Sequence, residues 1–134
     1  DQTQPGPDHG LRNPDNLDWG DDGVITVQED RAEKMGSFGR ISGHEASIWR
    51  LDPETGEAER IAEMNRSVVD DDPKPDDIGN WESSGVLDVT ALFDAGPGET
   101  LLLATVQAHS LRGGAIEEYS LVQGGQIVWL SSPY

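Results

Sequence analysis

The sequence predicts an all-β chain, and three stretches carry that prediction. Gly20-Asp21-Asp22-Gly23 runs directly into the β-branched Val24-Ile25-Thr26-Val27. Ala46 to Leu51 alternates apolar with polar residues and stops at Asp52-Pro53-Glu54-Thr55-Gly56. Thr100 to Val106 is the most apolar run in the chain and follows the turn-forming Asp94 to Glu99. Glycine supplies the positive φ that tight hairpins demand, proline presets the bend, and Cβ-branched residues fit a pleated, half-buried surface.

Taken in order, residues 1–12 hold Pro5, Gly6, Pro7 and Gly10 among polar neighbours, have no period, and read as a lead-in or linker with a solvated His9. Residues 13–66 form a first unit: a hairpin over 16–30, a surface loop from Arg31 to Gly43 pinned by Met35, Phe38 and Ile41, then strands over 46–51 and 57–64. Four consecutive antiparallel strands make the unit of a β-propeller blade. Residues 67–80 form an acidic, proline-containing loop. Residues 81–134 form a second, incomplete blade. Val86-Leu87-Asp88-Val89 opens its sheet, and the Thr100–Val106 strand ends in Gln107-Ala108-His109-Ser110. A Gly-containing loop over 111–116 then leads to Leu121–Leu130, either a strand pair or one strand bent at Gly124-Gly125. Two sheets at roughly fifty-residue spacing fit a propeller's period, but rings close with about four to eight blades. The expected fold is therefore all-β, about two antiparallel four-stranded blades, incomplete as a ring. Its open strand edges predict pairing with further blades or another copy of the chain.

Composition narrows the partners. The 134 residues suffice for one small domain, and 26 acidic against 9 basic residues give a net charge of -17. Such a chain repels phosphate backbones and attracts cations, which argues against nucleic acid and suits a marine, halophilic or calcium-rich extracellular setting. No cysteine is present, so disulfides, thiolate ligands and thiol nucleophiles are excluded and the redox compartment is undetermined. No run approaches the roughly 18 apolar residues of a membrane helix. The chain opens on Asp1 without an initiating Met, which suggests a processed or excised piece of a longer protein.

Antiparallel strands around the 20–23 turn bring residues before Leu17 and after Val27 to one end of the sheet. Asp15, Asn16, Glu29 and Asp30 are therefore expected on one rim, where their oxygens suit a hard cation such as calcium. The plainer alternative is that Asp and Asn open a turn while Glu and Asp end a strand in water. Asp18, Asp22, Gly23, Ile25 and Glu29 fit EF-hand spacing, but Gly20 stands where that loop needs Asp or Asn, and the context is strand rather than helix. Asp70 to Asp77 reads as a solvated insertion, with loosely held calcium as the alternative. His44-Glu45 reads as a turn contact rather than a metal pair. Ser83-Ser84-Gly85 lacks the preceding glycine and the base of a nucleophile elbow. Trp19, Trp49, Trp81 and Trp129 read as packing residues rather than a ligand platform.

Asn-Pro-Asp-Asn-Leu at 13–17, Val-Gln-Glu-Asp at 27–30, Ile-Trp-Arg-Leu-Asp-Pro-Glu-Thr-Gly at 48–56, Trp-Glu-Ser-Ser-Gly at 81–85 and Val-Gln-Ala-His at 106–109 form an ordered set. Over residues 12–131 this set resembles the C-terminal blades of the PhoX-type alkaline phosphatases, within the wider DUF839 group. The resemblance implies a secreted or periplasmic six-bladed propeller that hydrolyses phosphate monoesters through a calcium and iron cluster on its axis. It matches Asp15 and Asn16 to the Pro-Asp-Asn turn, Glu29 and Asp30 to a strand-end acidic pair, Glu82 to the Glu before a Ser/Thr-Gly step, and Gln107 with His109 to a strand-end Gln-His. Ala108 separates the last two here. Glu29 and Glu82 are expected as direct ligands, Asp15 and Asn16 as direct or outer ones, and His109 as a phosphate-side donor or a core residue.

Two function classes follow. One is a portion of a PhoX-like phosphatase whose ligands are split between this chain and further blades, so that these residues alone are inactive. The other is a noncatalytic, calcium-stiffened extracellular β module serving assembly or adhesion.

Overall fold

The computed structural model describes residues 10–31, 43–70 and 72–133. His9 and the rest of the expected lead-in through residue 9, and the pinning residues Met35, Phe38 and Ile41, lie outside them.

The chain is all-β. Strands β1 (Pro14–Trp19), β2 (Ile25–Glu29), β3 (Ser47–Leu51) and β4 (Ala58–Glu63) form one antiparallel sheet in sequence order; β5 (Glu82–Asp88), β6 (Glu99–Ala108) and β7 (Gly124–Pro133) form a second. The second sheet has three strands among the described residues, and Leu121 to Leu130 resolves into one long strand that begins at Gly124. Gly125 is needed there, because a Cβ would sit 2.7 Å from the Val106 carbonyl oxygen and break the β6–β7 ladder. The preceding loop contains a short helix, α1 (Gly114–Glu118), where the sequence was read as loop.

Local chemistry explains the turns. Gly23 adopts φ 85°, the Gly20 and Gly23 amides close the β1–β2 hairpin, and the Trp19 indole donates to the Gly23 carbonyl at 3.2 Å. Between β3 and β4, Asp52 Oδ1 accepts from the Glu54 and Thr55 amides at 2.7 and 3.2 Å. Those backbone donors hold the Asp52 carboxyl below the usual range.

β5 lies across β1 and β2 and touches β3. The Asp88 amide donates to Asp18 Oδ2 at 2.5 Å, so the Trp19 end of β1 meets the Asp88 end of β5. The Pro14 end of β1 therefore adjoins the Glu82 end of β5, and Glu29 and Glu82 lie at the same end of their sheets. A core of Ala46, Met64, Trp81 and Ala108, with Val69, Val106 and Leu111 packed against it, closes this end. Trp49 and Trp81 are buried as expected of packing residues. Trp19 and Trp129 are more than half exposed, and Trp129 meets the edge of Phe93 with ring centroids 4.8 Å apart.

Candidate functional site

The rim residues part company in the structure. Asp15 and Asn16 fall in a β-bulge of β1, between Pro14 and Leu17, with Asp15 exposed and Asn16 half-buried, and Asn16 Nδ2 donates to Asp15 Oδ2 at 2.6 Å. No hydrogen bond or ion pair joins either of them to Asp30 or Glu82 among the described residues.

Glu29 turns inward. Its carboxylate receives the Arg12 amide (2.7 Å), Arg12 Nε (3.2 Å) and the Trp49 indole (2.9 Å) on Oε1, and Arg12 Nη2 (2.6 Å) and the Ser47 amide (3.0 Å) on Oε2. Arg12 and Glu29 are 2% and 1% exposed, and Arg12 also donates to the carbonyls of His44 and Glu45. Both Glu29 oxygens are thus occupied by protein donors, which corrects the expectation of Glu29 as a direct metal ligand. Arg12, placed by the sequence at the end of a linker, is the residue that captures it.

Asp30, Glu82 and His109 do come together. Glu82 stands opposite Gln107 in the β5–β6 ladder, which puts His109 just beyond that pair, and His109 Nε2 lies 2.7 Å from Glu82 Oε1. Glu82 Oε2 accepts from the Arg31 amide at 2.8 Å. Asp30, fixed by its amide on the Asn13 carbonyl, adjoins Glu82 closely enough for each carboxyl to shift the titration of the other. Burial, then the adjoining Asp30, pushes the Glu82 carboxyl above its usual range, while the neighbouring Glu82 side chain draws Asp30 below its own. The two carboxyls therefore titrate as a pair, with Glu82 the one that gives up its proton less readily. Gln107 lies beside this group rather than in it: its Nε2 donates to Ser84 Oγ, and its Oε1 accepts from Gln123 Nε2 at 2.9 Å.

The donor set fits a hard cation as part of a coordination shell. Two carboxyls close enough to shift each other's titration are a pair whose repulsion a bound cation relieves. Among the described residues no three acidic or imidazole side chains are arranged to hold an ion by themselves.

Beside the cluster lies a cleft of about 460 Å³ that includes Arg31, Lys74, His109, Ser110 and Arg112 in its lining. Pattern reading missed it, because its walls come from loops that meet only in the fold. A larger cleft, about 710 Å³, lies between the sheets at the Asp88 end, away from the acid pair.

The acidic loop is not simply solvated. Arg66 ties it down with Nη2 on Asp72 Oδ2 (2.6 Å), Nη1 on the Asp77 carbonyl (2.8 Å) and an ion pair to the Asp77 carboxylate. Its guanidinium lies 5.6 Å above the Trp81 ring. His44 Nδ1 sits 3.3 Å from both oxygens of Glu63 at the end of β4, a cross-strand contact rather than a turn contact, and Ser83 is buried.

No protein family, curated protein or solved structure matches the chain.

Proposed function

We propose that this chain is a portion of a secreted or periplasmic, metal-dependent phosphate monoester hydrolase of the PhoX type. Its two sheets would be neighbouring propeller blades, and Asp30 with Glu82 would supply part of a calcium or calcium–iron site. The observation that carries the reading is the meeting of Asp30, Glu82 and His109 at one end of two adjacent sheets, with a polar, cation-lined cleft beside them. Its further support is the ordered resemblance of the motifs that contain these residues.

In that reading the cation, when bound, neutralises phosphoryl oxygens and lowers the pKa of a coordinated water. The chain's own groups prepare the place. The Arg31 amide and His109 hold the Glu82 carboxylate between them and fix its orientation. His109 is placed to hold or pass a proton at Nε2, 2.7 Å from Glu82 Oε1. Glu29 serves at one remove: by locking Arg12, Ser47 and Trp49 together it fixes the end of β2 from which Asp30 projects.

The test is metal analysis of the full-length protein together with hydrolysis of a chromogenic phosphate monoester, with and without chelator. Calcium with iron and a chelator-sensitive activity that Glu82→Gln abolishes is the expected result. Calcium alone with no hydrolysis would replace it with the noncatalytic extracellular β module. Strong turnover by these 134 residues alone would overturn the idea of a site shared with other blades.

A further inference from the structure

We infer that the cleft beside His109 is a binding site for a phosphate dianion, with Arg31, Lys74 and Arg112 as its charge partners and Ser110 as a hydroxyl donor.

The charge distribution points there first. The chain carries 9 Lys and Arg residues against 26 acidic ones, so an arbitrary surface cleft would be lined by carboxylates. Here three of the cations line one cleft of about 460 Å³, large enough for a phosphoryl group and a small ester. Among the described residues Lys74 and Arg112 make no salt bridge, and the charge of Arg31 acts on the neighbouring Asp30 only from beyond salt-bridge distance. The cleft's one carboxylate, Asp77, is already engaged, through Oδ1 with Arg66 and through Oδ2, which accepts from Asn80 Nδ2 at 2.7 Å.

The walls are also held in place. Arg31 follows β2, and its amide is fixed on Glu82. The Lys74 backbone is fixed at both ends, its carbonyl accepting from Arg66 Nη2 at 2.5 Å and its amide donating to Asp72 Oδ1 at 2.9 Å. Arg112 Nη1 reaches the Val122 carbonyl at 3.4 Å, which leaves the remaining guanidinium donors for a ligand. Ser110 adopts φ 72°, a left-handed conformation costly for a serine, and its Oγ accepts from Asn80 Nδ2 at 2.7 Å. With its lone pair so used, the hydroxyl proton is free to be donated. Three positive groups and a hydroxyl, drawn from separate segments, match a doubly charged tetrahedral anion better than a singly charged one.

The identification of that anion as the substrate's phosphoryl group rests on the phosphoesterase reading above, whereas the binding does not. The experiment is calorimetric titration of the full-length protein with inorganic phosphate at low ionic strength, first with chelator and then with calcium, for the native protein and for Arg112→Gln and Lys74→Gln. Each variant is expected to bind phosphate about tenfold more weakly in both series, the loss of one charge-assisted contact, with an unchanged circular dichroism spectrum. Equal affinity in native and variant proteins would overturn the inference, as would binding that requires calcium and ignores both substitutions. Hydrolysis with a KM unmoved by either variant would sink the cleft and spare the hydrolase. Variant-sensitive phosphate binding without hydrolysis would do the reverse.

Discussion

Arg12 and Glu29 meet at 2.6 Å in the interior of the first sheet's rim, with side chains 2% and 1% exposed. They stand seventeen positions apart in the sequence, and each is satisfied by donors or acceptors on β3 and the segment before it. A buried pair broken from one side leaves an uncompensated charge. Glu29→Gln is therefore expected to cost about 3–5 kcal/mol in urea unfolding with chelator present. A carboxylate whose work was to bind a cation would instead leave the metal-free protein near native stability. Replacing both partners by Met and Leu is expected to cost less than the sum of the single changes, because the pair then disappears together.

Glu82 behaves in the opposite way. Burial and the adjoining Asp30 both disfavour its charge, so a neutral amide suits the metal-free site at least as well. Glu82→Gln is expected to leave the chelated protein's Tm at or above the native value. It is also expected to remove the rise in Tm that calcium gives the native protein, a stabilisation of about 2.7 kcal/mol when calcium stands at a hundred times its Kd. Calorimetric scans with and without calcium check both halves. A calcium-induced rise that survives in Glu82→Gln would take Glu82 out of the cation site.

The contrast between these two glutamates marks how far the sequence could be read. Both end or begin strands, and turn chemistry at Gly20–Gly23 and Asp52–Gly56 placed those strands well, because glycine, proline and Asx residues act over a few positions. Which way a strand-end carboxylate turns depends on its distant neighbours. Glu29 faces inward because a lone arginine in a segment without period reaches it, and no local pattern announces such a residue. The β1 bulge that holds Asp15 and Asn16 is equally a property of the pairing with β2. The cleft cations were invisible for the same reason: Arg31, Lys74 and Arg112 share nothing in sequence and meet only through the fold.

Glu45 predicts a pH dependence away from the candidate site. Burial raises its carboxyl above the ordinary value of 4.5, with the Gly79 amide at 2.6 Å and Arg66 pulling the other way. The folded state then binds a proton more tightly than the unfolded state. Its contribution to stability is fully present below about pH 4.5 and is lost as the pH rises through the folded value. Glu45→Gln keeps an acceptor for Gly79 and removes the titration. Its unfolding free energy is expected to fall less steeply than the native protein's as pH rises from 4 towards 7 in a denaturant series. Parallel curves would show that Glu45 is charged in both states alike.

Arg66 is expected to decide whether the acidic loop belongs to the fold. Its side chain is 8% exposed, that of Asp72 is 6%, and its donors reach both the carboxylates and the carbonyls of the loop while its guanidinium covers Trp81. Arg66→Met preserves much of the stem's packing but strands the Asp72 and Asp77 charges, and is expected to destabilise by about 3 kcal/mol. The loop should then open before the sheets do, because the lost contacts are mainly its own. A protease that cuts before aspartate would cleave between residues 70 and 77 in the variant under conditions that leave the native chain intact. Arg66→Lys keeps the charge and loses the planar fork, so it should restore part of the stability and little of the protection. Since Lys74 is held through Arg66, the same opening should weaken phosphate binding in Arg66→Met even though Arg66 itself does not line the cleft.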